Sequence, residues 1–256
     1  MEITWYGNAG IAIQAGNASV IFDPFLKYEN PGFSNTLSDF DRYDRIFITH
    51  GHLDHLATVP DLVKNTNKKV YCTKVPAQAL LKHKVNRVNI SEIKAYDVIK
   101  IEDMKIIVYP GKHIRFELGI ILKTLFSPRI IKYRKNLKII MELNREYRED
   151  DETVAYLVEQ GTERVFILGS CGLRNGIKYP ENVDLLVVPL QGSTRIVGIA
   201  EKLVKRINPG KIVLDHFDDS FPPVSGFMDP EKFVRVIKGQ YNIEVIVPEY
   251  NKVIKL

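Results

Sequence analysis

Short apolar runs bounded by turn residues dominate the first hundred positions and predict strands rather than helices. Residues 2–6, 10–14 and 18–23 read as a meander, with Gly7-Asn8 and Gly16-Asn17 at its turns. Residues 45–49, Arg-Ile-Phe-Ile-Thr, read as a buried strand, and 58–65 as a short helix. Residues 69–72, 87–90, 97–101 and 104–109 predict further strands, with a helix near 76–82. The stretch 116–147 changes character: apolar residues fall at helical spacing, turn residues thin out, and Ser127-Pro128 divides it into two predicted helices. Leu118, Ile121, Leu122 and Leu125 give the first of these one apolar face. Strands resume at 153–159, 164–169 and 184–189, followed by an amphipathic helix over 193–207 that stops at Asn208-Pro209-Gly210. A strand at 211–215, a helix at 230–238 and a last strand pair at 243–247 and 252–255 complete the pattern.

Strands with helices between them thus occur twice. That order suits an α/β architecture of two sheets packed face to face with helices outside, an αβ/βα sandwich. The helical stretch at 115–150 reads as an insertion into a single domain spanning 1–256. At 45% hydrophobic and 26% charged residues the chain has the composition of a soluble globular protein with a sizeable core. No apolar run approaches the roughly 20 residues of a membrane span. The first residues begin directly with a strand pattern and lack a signal-peptide pattern, and two cysteines, Cys72 and Cys171, do not make a disulfide scaffold. A reducing, cytoplasmic setting is the expectation.

The net charge of +5 changes that picture in one place. Residues 115–148 hold nine basic side chains and three acidic ones, an excess of +6, so the remainder is close to neutral. Basicity confined to one segment does not by itself argue for nucleic-acid binding. A charged helix is commonly just solvated. Directly after His113, the segment also reads as a lid that selects an anionic substrate or as a dimerisation hairpin.

The chemistry concentrates in Thr49-His-Gly-His-Leu-Asp-His-Leu56, where four metal-capable side chains fall within six residues of a chain with six histidines. Alternate residues of an extended chain point the same way, so His50 and His52 can grip one cation. If the chain then turns into a helix, Asp54 and His55 swing toward a neighbouring position. Neutral imidazoles and a carboxylate are ligands of zinc and similar divalent metals. Other candidates end apolar strands: Asp23, His113, Ser170 with Cys171, and His216. Loops held by a rigid sheet are where α/β proteins tend to carry chemistry. His83, on a predicted helix, reads as an ordinary surface residue.

Asp23, the His50/His52/Asp54/His55 run, His113 and His216 occur in an order that resembles the metallo-β-lactamase superfamily over nearly the whole chain. Thr4-Trp-Tyr-Gly7, Leu214-Asp-His-Phe-Asp-Asp219 and Phe221-Pro-Pro223 are most similar to its ascorbate-phosphate-lactonase-like branch of metal-dependent hydrolases. The resemblance implies that His50, His52 and His113 hold a first metal, that Asp54, His55 and His216 hold a second, and that Asp23 orients the histidine loop. Two departures stand out. The stretch that usually carries a metal-bridging Asp reads Gly169-Ser170-Cys171-Gly172, which puts Ser170 in the carboxylate's place. Cys171 becomes a thiolate ligand if that loop slips by one residue, and otherwise a buried structural Cys. Asn8 stands where the branch often has a histidine. Asp218 and Asp219 are candidates to restore negative charge near His216, or simply cap a loop.

The implied activity is hydrolysis of a small, anionic ester, lactone or phosphodiester by metal-activated water, with Asp54 also handling the water proton. Zinc is the expected metal, with manganese or iron as alternatives, in one or two ions. A nuclease of the same superfamily, and a non-catalytic metal-binding module weakened by the missing carboxylate, are the competing readings. Partners follow suit: a small-molecule substrate first, nucleic acid second, a homo-oligomer through the insertion as an open option.

Overall fold

The computed structural model describes all residues except 27–34, 115, 116, 118–123 and 125. Its strands are β1 (Glu2–Trp5), β2 (Ile11–Ala15), β3 (Ala18–Phe22), β4 (Arg45–Phe47), β5 (Lys69–Cys72), β6 (Ile90–Glu92), β7 (Val98–Ile101), β8 (Met104–Lys112), β9 (Val154–Gln160), β10 (Glu163–Leu168), β11 (Gly172–Leu173), β12 (Leu185–Pro189), β13 (Lys211–Asp215), β14 (Glu244–Ile246) and β15 (Val253–Lys255). They form two sheets, one ordered β15-β1-β2-β3-β4-β5-β6, the other β11-β8-β9-β10-β12-β13-β14 with β7 paired to β8.

Each sheet begins as an antiparallel meander and continues as parallel strands. Ala15 pairs with Ala18 across the two-residue Gly16-Asn17 turn, where Gly16 takes φ +58°, a value that costs glycine little. From β3 onward the first sheet is parallel through β6, and the second is parallel from β10 through β14. Parallel strands buried on both faces read as continuous apolar runs, as Leu185–Pro189 does with all five residues buried. The strand β8, by contrast, alternates buried and half-buried positions.

A large core lies between the sheets, with Phe22, Phe47, Tyr156, Phe166 and Val187 among its members. Ile196, Ala200, Leu203, Val204 and Ile207, on one face of helix Ile196–Ile207, join it from outside. A second cluster packs the first sheet against the helices of the N-terminal half, through residues such as Ile46, Leu56, Leu80 and Tyr147. Helices Ile196–Ile207 and Glu231–Tyr241 both end on asparagines in the left-handed region, Asn208 and Asn242, which tolerate it better than most residues.

The sequence reading needs three corrections. Residues 87–90 are not a strand: Arg87–Asn89 form a 3-10 turn that Asn86 caps by accepting from Val88 N, and only Ile90–Glu92 pair with β5. The short β11, unforeseen, pairs with the end of β8. Beyond Ser127-Pro128 the insertion forms helices Arg129–Lys132 and Arg134–Glu146. The apolar face expected at Leu118, Ile121, Leu122 and Leu125 lies outside the described residues. His83 is not an open surface residue. Its ring stacks on Tyr147 at 5.0 Å and meets the Glu146 carboxylate at 2.6 Å, fastening the end of the insertion to helix Lys74–Lys82.

Candidate metal centre

The C-terminal ends of β3, β4, β8, β10 and β13 converge on one edge of the sandwich. Val154 N donates to Thr49 O at 2.8 Å and Tyr156 Oη to Ile48 O at 2.6 Å, binding the second sheet to the strand end that precedes the histidine run. Gly169 lets that contact form, because a Cβ there would meet Thr49 Oγ1 at 2.1 Å. Across the other side, His216 N donates to Asn8 O at 2.8 Å.

The run itself changes conformation halfway. His52 is extended and caps helix Leu53–Leu56, so Asp54 and His55 fall in a first helical turn. This turn divides the donors between two groups. His50, His52 and His113 form one group, and Asp54, His55 and His216 another; within each, the potential ligand atoms lie within 4.8 Å of one another. His50 and His55 are 1% exposed. His52, His113 and His216 are only half-buried, so each group keeps at least one partly exposed donor. His50 and His55 ring centroids are 4.0 Å apart, which makes the two groups adjacent.

Asp23 organises the run. Its Oδ1 accepts from Thr49 N at 2.8 Å, and its Oδ2 accepts from Thr49 Oγ1 at 2.5 Å and lies 2.8 Å from His55 Nδ1. Thr49 Oγ1 in turn stands 3.0 Å from His50 Nδ1. One carboxylate thus fixes a ring in each group, leaving the opposite nitrogens for other partners, as metal-binding imidazoles require. His55 Nε2 is 3.4 Å from Asp54 Oδ2, which is 3.0 Å from His216 Nε2.

Electrostatics distinguish the groups. Burial lowers the His50, His52 and His113 imidazoles, with His113 falling to about 4, so all three are neutral near pH 7. Burial also opposes charge on His55, but Asp23 and Asp54 outweigh it and push the ring up to about 9. Burial would raise Asp54, yet His55 and His216 hold it well below the usual carboxylate range. A nitrogen-rich pocket beside an ionised carboxylate suits a divalent ion such as zinc.

The residues near the departures resolve individually. Ser170 Oγ accepts from Ile114 N at 3.1 Å and so braces the chain just after His113. Cys171 does not slip toward the histidines: its thiol donates to Pro189 O at 2.9 Å, it sits in the inter-sheet core, and burial raises its pKa. Asp218 Oδ1 accepts from Asn8 N at 3.0 Å and Oδ2 from Ser220 Oγ at 2.8 Å, which makes it a brace. Asp219 pairs with Arg129 and ties the insertion to the His216 loop.

Two residues escaped the sequence reading. Asn8 does more than lack an imidazole: its Nδ2 donates to Asp54 O at 2.8 Å, so with its contacts to Asp218 and His216 it joins three segments. Asn8, Asp23 and His216 all adopt positive φ, +49°, +46° and +54°. Left-handed non-glycine residues are uncommon and tend to gather at functional sites. Asp215 is the other: it ends β13 at 1% exposure, and burial raises its carboxyl group well above the ordinary value.

Residues 2–216 match the family model described as the beta-lactamase superfamily domain. A UPF0173 metal-dependent hydrolase of Methanopyrus kandleri is 28% identical over 97% of both chains. One from Thermoplasma acidophilum is 24% identical over all of this chain and 99% of its own. Among solved structures, Igni18, a metallo hydrolase of Ignicoccus hospitalis, superposes with a TM-score of 0.69 at 17% identity, covering 99% of this chain and 97% of its own. Fold, donor order and family model therefore agree: the chain belongs to the metallo-β-lactamase superfamily.

Proposed function

We propose that this chain is a metal-dependent hydrolase of small substrates carrying an ester, lactone or phosphodiester bond, with zinc as its metal. The observation that carries this reading is the pair of adjacent donor groups, His50/His52/His113 and Asp54/His55/His216. The relatives' description as metal-dependent hydrolases supports it. A divalent metal held by such groups supplies a water of depressed pKa, near 7 in favourable cases, and polarises the oxygen of the scissile bond.

The chain's own residues supply the rest. His50, His52 and His113 offer nitrogens already free of protons near neutral pH. Asp23 fixes His55 from behind, and Asn8 fixes the Asp54 backbone. Asp54, ionised and only 8% exposed, is the group assigned in this reading to accept and pass on a proton. Exposed Lys132, Arg134, Lys135 and Lys138 supply positive charge on an insertion whose Arg129 grips the His216 loop, which favours an anionic substrate.

No helix among the described residues is long and apolar enough to cross a membrane. Two buried free thiols, Cys72 and Cys171, suit a reducing cytoplasm.

Hydrolysis of a panel of aryl phosphodiesters, esters and lactones, before and after chelation, tests the reading. Activity that disappears with the metal and returns on reloading agrees with it. A metal-loaded protein inert toward every member would favour the non-catalytic binding module, and turnover confined to RNA or DNA would favour the nuclease.

A further inference from the structure

Unpartnered buried polar atoms gather at one knot of this fold. Asn8 Oδ1, both carboxylate oxygens of Asp215 and His216 Nδ1 have no hydrogen-bond partner among the described residues. They belong to three residues connected through the chain and through the bond from His216 N to Asn8 O. Buried polar groups in folded proteins are nearly always satisfied, and clustered exceptions call for an ion or a water. Asp215 is the extreme case: a carboxyl group can make several hydrogen bonds, and neither oxygen of this one has a partner among the described residues.

Its surroundings name the missing partner. The charged groups around Asp215 are His55, Asp23 and Asp218. Asp23 and Asp218 have their own donors, Thr49 and His55 for the first, Asn8 and Ser220 for the second. Ser170 and Cys171, which follow β10, two strands away from β13 in the same sheet, bring no negative charge and are committed to Ile114 and Pro189. The strand that ends in Asp215 delivers His216 to the second donor group one residue later. Asp23, Asp54, Asp215 and Asp218 are all nine-tenths or more buried.

We propose that Asp215 sustains a second divalent cation at Asp54, His55 and His216, supplying at the end of β13 the unpartnered carboxyl group that the Ser170 loop lacks. This rests on the metal reading of the site and adds to it the residue that makes the second position tenable. Asp215 stands outside the group whose atoms fall within 4.8 Å, so its part is electrostatic support or a contact through one water.

The test is calorimetric titration of chelator-stripped protein with zinc. Wild type should take up two ions. Asp215→Asn, nearly the same size and shape, should keep the first and bind the second about 10–100-fold more weakly, the range for residues that act behind a metal's ligands. Two ions bound equally well by wild type and Asp215→Asn would overturn the proposal, as would a wild type that binds one ion only. Wild type binding no ion would instead bring down the metal reading itself. If Asp215→Asn does not fold, a zinc-loaded wild-type crystal structure decides. Asp215 facing the second ion, directly or through one water, agrees. A carboxyl group turned away from the ion overturns the proposal.

Discussion

Asp23 Oδ2 lies 2.8 Å from His55 Nδ1, joining residues 32 positions apart where β3 and the histidine run come together. Both side chains are almost wholly buried. The same carboxylate holds Thr49 by its backbone and its hydroxyl, and Thr49 holds His50. Removing one partner of a buried pair costs roughly 3–5 kcal/mol, because the other is left unpaired. Asp23→Ala is therefore expected to lower the stability of the metal-free protein by about 3 kcal/mol or more in urea titration. It should also weaken metal binding about 10–100-fold. Unchanged unfolding and metal affinity would mean that Asp23 only shapes the turn before Pro24.

The contrast between the two donor groups gives a proton count. His113 ionises near 4, and His50 and His52 are also lowered, so the first group sheds no proton when it binds a metal at pH 7. His55 is raised to about 9, so the second must release about one proton below that pH. Second-site affinity should then rise with pH up to about 9, and first-site affinity should stay nearly flat above about pH 7. Calorimetry in buffers of different ionisation enthalpy reads the count directly.

The same values set the stability of the metal-free protein. A histidine whose pKa falls on folding binds more protons unfolded than folded between the two values. For His113 the unfolded value is about 6.5 and the folded one about 4. Its contribution is present above about 6.5 and is lost as pH falls toward 4. His55 has the opposite sign: its contribution is full below about 6.5 and is lost as pH rises through about 9. Replacing His113 by Gln should flatten the acid limb of an apo-protein stability profile and leave the alkaline limb in place.

The insertion gives a prediction about substrate charge. Arg134 and Lys135 are exposed at the start of helix Arg134–Glu146, whose buried residues are Asn136 and Ile140. Reversing both charges should leave thermal stability nearly unchanged, since exposed substitutions commonly stay within about 0.5 kcal/mol. KM for an anionic substrate should rise several-fold, with a smaller effect for a neutral one and less at high salt. Equal effects on both substrates would remove the insertion from substrate selection.

Much of the site was legible because its donors are local or end apolar strands. His50, His52, Asp54 and His55 share six residues, and a strand followed by a helical turn divides them between two positions whatever the rest of the fold does. His113 and His216 were findable because each follows a buried strand. What stayed hidden depends on tertiary contact. Asn8 looks like a turn residue, and only the approach of the Asp54 and His216 segments gives it three of its bonds. Asp215 hides inside an apolar strand, and no periodicity reveals that both oxygens lack donors. His83 became an anchor because Tyr147, 64 positions on, stacks against it. Residues 87–90 read as a strand, but the Asn86 cap outcompetes pairing.

The central claim is that the two donor groups hold divalent metal, and the most direct measurement is metal content. Elemental analysis of purified wild type, and of stripped protein reloaded with zinc or manganese, should find bound ion. The His52→Ala/His113→Ala double variant, which removes two of the three nitrogens of the first group, should lose most of it. A folded wild type that is metal-free as isolated and cannot be reloaded would contradict the account.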